Sequence, residues 1–519
     1  MSPAAPTTID DSTRSPHLHR WLLAWAGLGC VWALYAAWPF TTDDAFITLR
    51  YARHWADGDG IRWNVGELER VEGYSNFLFV ALAAAALRLG LDPMAVLALT
   101  SSAALLACGP LLYGIARRTT GPLSACVPVV LLWGYPFTQW WTVSGLETAV
   151  YMLAVVAATA AFVRGCADGA SGRPWSRPYL RLAGLLGFIA ALVRPEGPLV
   201  VIAMVTTIGA GAIRATRAAP SSRAARRAHL DAARHLLVAF AVPFAIYLAW
   251  RLGHFGHLLP NPVRCKAAYA GSPWALLLPF APLAALTLGL AAPAWRAWTR
   301  PPMLVCTVLA LEYAVVLFGV DPTIAYGNRH LLAAYALLGI PAAMGVHHLG
   351  RTHGRRTEVR IVVGLAALVT AAWLGFGVVD RLAREAATYA ARAAARADVA
   401  AHLRTRLGPG DTIVLGDVGV IGDALPDVAI LDVYCLNNPA MTRAPLKGSA
   451  AAVAEAVLAA EPAAIIVSSR SAETCAPRAK VFRLVLEAPE FAAYELTAVF
   501  GADADEFHYW IYERRRSAM

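Results

Sequence analysis

Apolar positions along this chain fall into two regimes. From residue 21 to about residue 379 they form long runs divided by short polar loops, and after Asp380 they come in short alternating stretches. A helix needs about 20 apolar residues to cross a bilayer. On that measure the runs predict spans at roughly 21–40, 96–116, 121–137, 146–164, 181–194, 197–214, 235–253, 272–292, 302–320, 331–349 and 360–379. Segment 75–92 is also apolar; laid in the interface rather than across it, it leaves the basic loops all on one side. Those loops hold Arg117 and Arg118, then Arg164, Arg173, Arg177 and Arg181, then Arg214, Arg217, Arg223, Arg226 and Arg227, then Arg296 and Arg300, then Arg351, Arg355 and Arg356. The positive-inside rule makes them cytoplasmic. The expectation is a polytopic α-helical protein of about eleven spans, with a cytoplasmic tail (1–20), a transmembrane domain (21–379) whose first outer loop is 41–74, and an extracytoplasmic C-terminal region (380–519).

The C-terminal pattern begins with DRLAREAATYAARAAARADVAAHLRTRL, an Ala/Arg helix leaving the membrane and ended by GPGD. Strand-like TIVLG, VAILDV and AAIIVSS then alternate with the helical AAVAEAVLAAE, and FHYWIYE supplies a last aromatic strand, which predicts a small α/β domain. Its GDVGVIGD carries glycines at every third position, which does not match the dinucleotide G-x-G-x-x-G.

Composition agrees with the hydropathy: 58% of the 519 residues are hydrophobic, 15% are charged, and mean hydropathy is +0.51. The net charge of +10 sits in the loops that orient helices, so it indicates topology rather than nucleic acid. The first apolar run lacks a convincing cleavage site and is expected to remain as a span. The eight cysteines show no C-x-x-C or metal-ligand spacing, and Cys30, Cys108, Cys126, Cys166 and Cys306 lie in or beside apolar runs. Neither zinc nor a disulfide framework is indicated, although Cys435 and Cys475 share the polar region.

Charged and polar residues on the outer side have no topological reason to be there. TTDDAF places Asp43 and Asp44 just after the first span. One of them, with Thr41 and Thr42, suffices to cap the amphipathic helix that follows; neighbouring helical positions point about 100° apart, so the other can face a cavity and take a proton from an attacking hydroxyl. ERVEGYSNF adds Arg70, Glu72, Tyr74 and Asn76; WWTVSGLETA adds Glu147, and VRPEG adds Arg194 and Glu196. HLLPNPVRCKAA adds Asn261, Arg264 and Lys266, one of three lysines in the chain, and GVDPTIAYGNRH adds Asp321 and Arg329. A compact ammonium and forked guanidinium groups suit a phosphate. Bland roles compete with each assignment: interface turns and aromatic belts for the tyrosine and tryptophan stretches, and a self-satisfied Arg–Glu pair for VRPEG.

DDAFITLRYARHWADGDGIRWNVGELERVEGYSNFLF resembles the first outer loop of the GT-C membrane glycosyltransferases, specifically the branch of terminal arabinofuranosyltransferases of the mycobacterial envelope. SGLETA, VRPEG, LLPNPVRCKA and the D-P…NRH segment follow in that branch's order, and GDVGVIG…ILDVYCLNN resembles its outer C-terminal domain. Pro262 stands where that branch commonly has Thr, and GVD where it has G-G-D. The resemblance implies a polyprenyl-phosphate sugar donor, an envelope glycan or protein acceptor on the outer face of a bacterial plasma membrane, and one aspartate of the pair as base. Lys266, Arg264 and Arg329 would hold the donor phosphate, and Arg70, Glu72, Tyr74, Asn76, Glu147, Arg194, Glu196, Asn261 and Asp321 would contact substrate. A divalent cation, Mg²⁺ or Mn²⁺, between the acids and the phosphate fits their hard oxygens, though the residues do not demand one. Two other classes stay open: a non-catalytic scaffold or flagellar accessory in the envelope, and a lipid or sugar transporter, which would place ionic residues mid-span.

Overall fold

The computed structural model describes residues 17–38, 40–67, 69–166, 175–218, 223–266, 274, 277–318, 329–501 and 507–515. From the N-terminal side come α1 (Leu18–Ala37), the amphipathic α2 (Asp43–Asp57), the short α3 (Phe77–Arg88) and α4 (Pro93–Ala116). A broken pair, α5 (Val127–Trp133) and α6 (Pro136–Val143), leads into α7 (Thr148–Gly165), α8 (Arg177–Val193), α9 (Pro198–Ala218) and α10 (Arg223–Phe255). The short α11 (Asn261–Lys266) precedes α12 (Ala281–Ala291), α13 (Pro301–Val316), α14 (Leu332–His353) and α15 (Arg355–Gly375). The long α16 (Val378–Arg404) carries the chain into the C-terminal domain.

Among the described residues α1, α4, α7, α9, α10, α14 and α15 are long and apolar enough to cross a membrane. The other four predicted spans fall on the shorter α5, α8, α12 and α13. The run 121–137 falls short because it stops at Gly134-Tyr135-Pro136, where proline removes a backbone donor. The carbonyl freed at that break, Gly134 O, accepts from Trp373 Nε1 at 2.7 Å, which is how a helix break is tolerated at membrane depth. Segment 75–92 folds as a short helix rather than a membrane-length one. Its helix α3 has 12 residues; Asn76 at its start bonds Glu147, and Arg88 at its end donates to Trp55 O of α2 at 2.9 Å. Both ends of α3 therefore stay on the face that carries the C-terminal domain.

The C-terminal domain contains β1 (Thr412–Leu415), α17 (Val418–Ala424), β2 (Ala429–Asp432), α18 (Ala450–Ala459), β3 (Ala464–Ser469), α19 (Lys480–Glu487), β4 (Tyr494–Gly501) and β5 (His508–Arg514). The sheet order is β2-β1-β3-β5-β4. β1 pairs in parallel with β2 and β3, whereas β5 runs antiparallel to β3, with Ile511 opposite Ile466, and β4 closes the edge as a hairpin. The sequence pattern leaves out β4, because YELTAVFG packs little of itself: three of its first four residues are exposed.

This domain is held on the helical bundle by α2. Asp43 accepts from Gly419 N and Val420 N, both at 2.9 Å, in the first turn of α17. Two turns along α2, the fully buried Arg50 donates to Gly422 O, to Leu425 O at 2.9 Å and to Val428 O at 2.8 Å, around the end of α17. An anion at the amide end and a cation at the carbonyl end both oppose the helix dipole favourably. Arg53 adds a pair with Asp423 at 3.0 Å. The open edge of the sheet is covered too: Asn64 Oδ1 accepts from Ile430 N at 2.9 Å, and Trp63 Nε1 donates to Ile430 O at 3.2 Å. Ile47, Tyr51 and Trp63 of the first loop share one core with Val418, Ile421 and Ile511 of the domain.

A disulfide joins Cys265 at the end of α11 to Cys435 after β2, with Cα atoms 6.0 Å apart. The cysteine pattern did not indicate it, since the two are separated by 170 residues and Cys265 has no spaced partner nearby. Cys475 stays free.

Gly419 makes a close backbone approach in this interface: a Cβ there would lie 1.9 Å from the Asp43 carbonyl oxygen. Gly419→Ala should cost about 1–3 kcal/mol, as overpacking does, and raise hydrogen exchange across 412–432. Gly364→Ala on α15, where a Cβ meets nothing within 4 Å, should leave exchange in that segment unchanged.

Candidate active site

The loop between α6 and α7 turns at Gly145, whose φ of +80° and 2.7 Å approach to Ala45 leave no room for a side chain. That turn seats Glu147, at the head of α7, beneath the first turns of α2. Glu147 accepts from Asn76 Nδ2 at 3.1 Å and from Arg194 Nη1 at 2.8 Å. Asn76 in turn bonds Thr48 of α2 at 3.1 Å. Arg194, in extended backbone just past α8, also pairs with Glu196 at 3.0 Å, touches His330 and lies over the Tyr151 ring at 5.6 Å. Burial alone would raise the Glu196 carboxyl, but Arg194 and His330 bring it well below the usual range. The result is a buried chain, Thr48–Asn76–Glu147–Arg194–Glu196–His330, drawn from five separate segments.

Asp43 and Asp44 end in different surroundings. Burial raises the Asp43 carboxyl, with the Arg396 guanidinium at 3.4 Å and the two α17 amides opposing that rise. Both of its oxygens are occupied, so its role is to hold α17, and it does not cap its own helix. Asp44 is exposed, and among the described residues it makes no hydrogen bond or ion pair. It shares a face of α2 with Thr48, four residues on, and so overlies the buried chain. Arg329, set over the Trp141 ring at 5.3 Å, lies within electrostatic reach of both Asp44 and Glu147.

The other residues singled out in the sequence divide by location. Glu72 forms a buried fork with Arg251, down to 2.6 Å, and its carbonyl accepts from Asn261 N. Asn261 donates its amide to Cys435 O and Leu436 O, at 2.7 and 3.0 Å, so it staples α11 to the domain. The Tyr74 hydroxyl is buried and has no hydrogen-bond partner among the described residues. Arg70 is exposed against His254 at 3.0 Å, away from the chain around Glu147. Arg264 has its Nη1 buried and, among the described residues, without a hydrogen-bond partner. The Lys266 side chain and Asp321 lie outside the described residues.

Three residues that sequence reasoning passed over also belong here. Arg396 of α16 sits between Asp43 and Asp417, at 3.4 and 3.5 Å, yet along the chain it is one of several arginines in an alanine-rich helix. Asp432, at the end of β2, accepts from Tyr434 N, Asn437 N and Asn437 Nδ2; burial pushes it up to about 6 against those bonds, and Asp44 contributes to the rise. His330 reads as a loop residue but is in the buried chain. A divalent ion has poor support from this donor set. Asp43 is fully engaged, Asp432 accepts three N–H groups, and among the described residues no three His, Cys, Asp or Glu side chains cluster for a metal.

A family model described as "Domain of unknown function (DUF8728)" matches residues 384–512. No curated protein matches the chain. Among solved structures, ArnT from Cupriavidus metallidurans bound to undecaprenyl phosphate is similar at 15% identity and a TM-score of 0.58, over 95% of this chain and 98% of that one. The Archaeoglobus fulgidus oligosaccharyltransferase AglB, in complex with an inhibitory peptide and a dolichol-phosphate, is similar at 13% identity and a TM-score of 0.56, over 95% of this chain and 74% of that one. Both neighbours are glycosyltransferases of GT-C fold. The chain is a polytopic α-helical membrane protein with the GT-C architecture and a small C-terminal sheet domain.

Two outcomes follow for stability. Glu72→Gln leaves the Arg251 charge buried without its partner and should cost about 3–5 kcal/mol, whereas Arg70→Ala should stay within about 0.5 kcal/mol; chemical denaturation in detergent measures both. Between about pH 4 and 6 the unfolded chain releases the Asp432 proton while the folded one keeps it. Stability therefore falls as pH rises through that window, by on the order of 3 kcal/mol. Asp432→Asn should remove that part of the slope of Tm against pH, and an unchanged slope would place the titration on another group.

Proposed function

We propose that this protein transfers a sugar from a polyprenyl-phosphate donor to an envelope glycan or protein acceptor, on the outer face of a bacterial plasma membrane. The observation that carries this reading is the split of the aspartate pair. Asp43 is consumed in holding α17, and Asp44 keeps a free carboxylate over a buried ionic chain, beside Arg329. The similar structures, one bound to undecaprenyl phosphate and one to dolichol-phosphate with a peptide, support a donor of that class. The Cys265–Cys435 disulfide supports an oxidising side for the domain, since disulfides persist in such compartments.

Asp44 takes the proton of the acceptor hydroxyl as its oxygen attacks the anomeric carbon. The bond from that carbon to the phosphate oxygen breaks, and polyprenyl phosphate leaves as an anion that needs no acid. Arg329, with Arg264 and Lys266, holds the phosphate, and guanidinium–phosphate hydrogen bonds strengthen as charge develops there. Asp44 is the free carboxylate of the site among the described residues, and one serves a single displacement, with inversion; a covalent glycosyl intermediate would need a second. Arg194 pins Glu147 and Glu196 by ion pairing, so they brace the helix ends beneath Asp44. The donor is of the kind the arabinofuranosyltransferase branch uses, and the sugar itself is unassigned.

The test compares deletion strains complemented at matched membrane levels, with envelope-glycan mass and linkage analysis as readout. Asp44→Asn should fail to restore the lost glycan, with activity down about 10²–10⁴-fold as expected for a missing general base, and should keep the wild-type Tm. Asp43→Asn should lower Tm. Full restoration by Asp44→Asn would end the catalytic reading in favour of an envelope scaffold.

A further inference from the structure

At the end of the bundle opposite the C-terminal domain, four helix termini surround a cleft of about 350 Å³. Thr119 follows α4, a 3-10 turn (Ala292–Ala297) links α12 to α13, Arg300 precedes α13, and Arg351 lies in the last turn of α14. Arg296, Arg300 and Arg351 rim the cleft, and all three are exposed. Among the described residues none of them pairs with a carboxylate. The acid that contacts this region, Glu358, is already engaged by Ser124 N at 3.2 Å, by the Ser124 hydroxyl and by His347 at 3.8 Å.

The interior of the cleft is different. Ala294 and Met344 line it and belong to a small apolar cluster with Ala291 and Met303. Trp298 packs on that cluster with its indole Nε1 buried and, among the described residues, without a hydrogen-bond partner. Trp295, 65% exposed, stands at the rim with the Arg296 guanidinium 5.3 Å from its ring. Arginines placed only to orient helices need be no more than scattered in loops. Here three converge on one concavity at helix-end depth, above an apolar floor and beside an interfacial tryptophan. That combination matches the two halves of a phospholipid: a phosphate for the guanidinium groups, and a glycerol with the start of its acyl chains for the alanine and methionine surface.

We propose that this cleft is a binding site for the phosphate headgroup of an anionic phospholipid, separate from the candidate active site and independent of its chemistry. The lipid would bridge α4, α13 and α14 through the turn 292–297. Juxtamembrane basic residues contribute about 1 kcal/mol each toward anionic lipid, or roughly fivefold per guanidinium in affinity.

The test is native mass spectrometry of the full-length protein in detergent, titrated in turn with phosphatidylglycerol, phosphatidylcholine and inorganic phosphate. Phosphatidylglycerol should be retained at least tenfold better than phosphatidylcholine. The double variant Arg296→Gln/Arg300→Gln should weaken it roughly 25-fold, and Arg351→Gln alone roughly fivefold, with Tm confirming that both fold. Arg223→Gln/Arg226→Gln removes the same charge at the same end of the bundle, from α10, and should change retention less than twofold. Equal weakening by that control would mean diffuse charge rather than a site. Equal retention of both lipids would exclude recognition of the anionic headgroup. Displacement of the lipid by inorganic phosphate alone would reassign the cleft to a free phosphate.

Discussion

Asp43 and Arg50 stand seven residues apart on α2, about 10 Å along the helix axis, and that spacing equals the length of α17. One face of a single helix therefore holds both ends of another, with a carboxylate on its first amides and a guanidinium on its last carbonyls. The arrangement has consequences in two directions. It brings the sheet's edge strand under Trp63 and Asn64, so the first loop and the small domain share a core and neither is complete without the other. It also turns the neighbouring face of α2, carrying Asp44 and Thr48, toward the heads of α7 and α14. The position of the free carboxylate is a by-product of how firmly its neighbour is held.

The ionic residues beneath it follow the same economy of space. Glu147, Arg194 and Glu196 are charged groups largely removed from water, and Glu72 with Arg251 forms a second such pair. Buried ion pairs contribute little net stability, since desolvation offsets attraction, but breaking one is costly. Their value here lies in register. Each group comes from a different segment, so the pairs are made only when the helix termini stand at matching heights. The sheet domain, the disulfide and the Asn261 staple set those heights on one side, and the arginine-rich termini set them on the other.

Much of this organisation was legible along the chain. Long apolar runs located the membrane-length helices, and the strand-and-helix alternation after Asp380 announced the α/β domain. The reading of GDVGVIGD went as far as rejecting a nucleotide motif. Its glycines prove to serve backbone proximity, with Gly419 against Asp43 and Gly416 against the Tyr434 ring. What stayed hidden were long-range pairings: Arg396 with Asp43, Cys265 with Cys435, Asn76 with Glu147, and the break at Gly134 whose carbonyl is met by a tryptophan 239 residues away.

Hydropathy acts through solvent and membrane, one segment at a time, so the sequence by itself determined the helical bundle and the small α/β domain that follows it. Asp43 and Asp44 are chemically identical and adjacent, and no local property separates them. The tertiary structure alone decided which one would be consumed, because the amides that consume it arrive from 376 and 377 residues away.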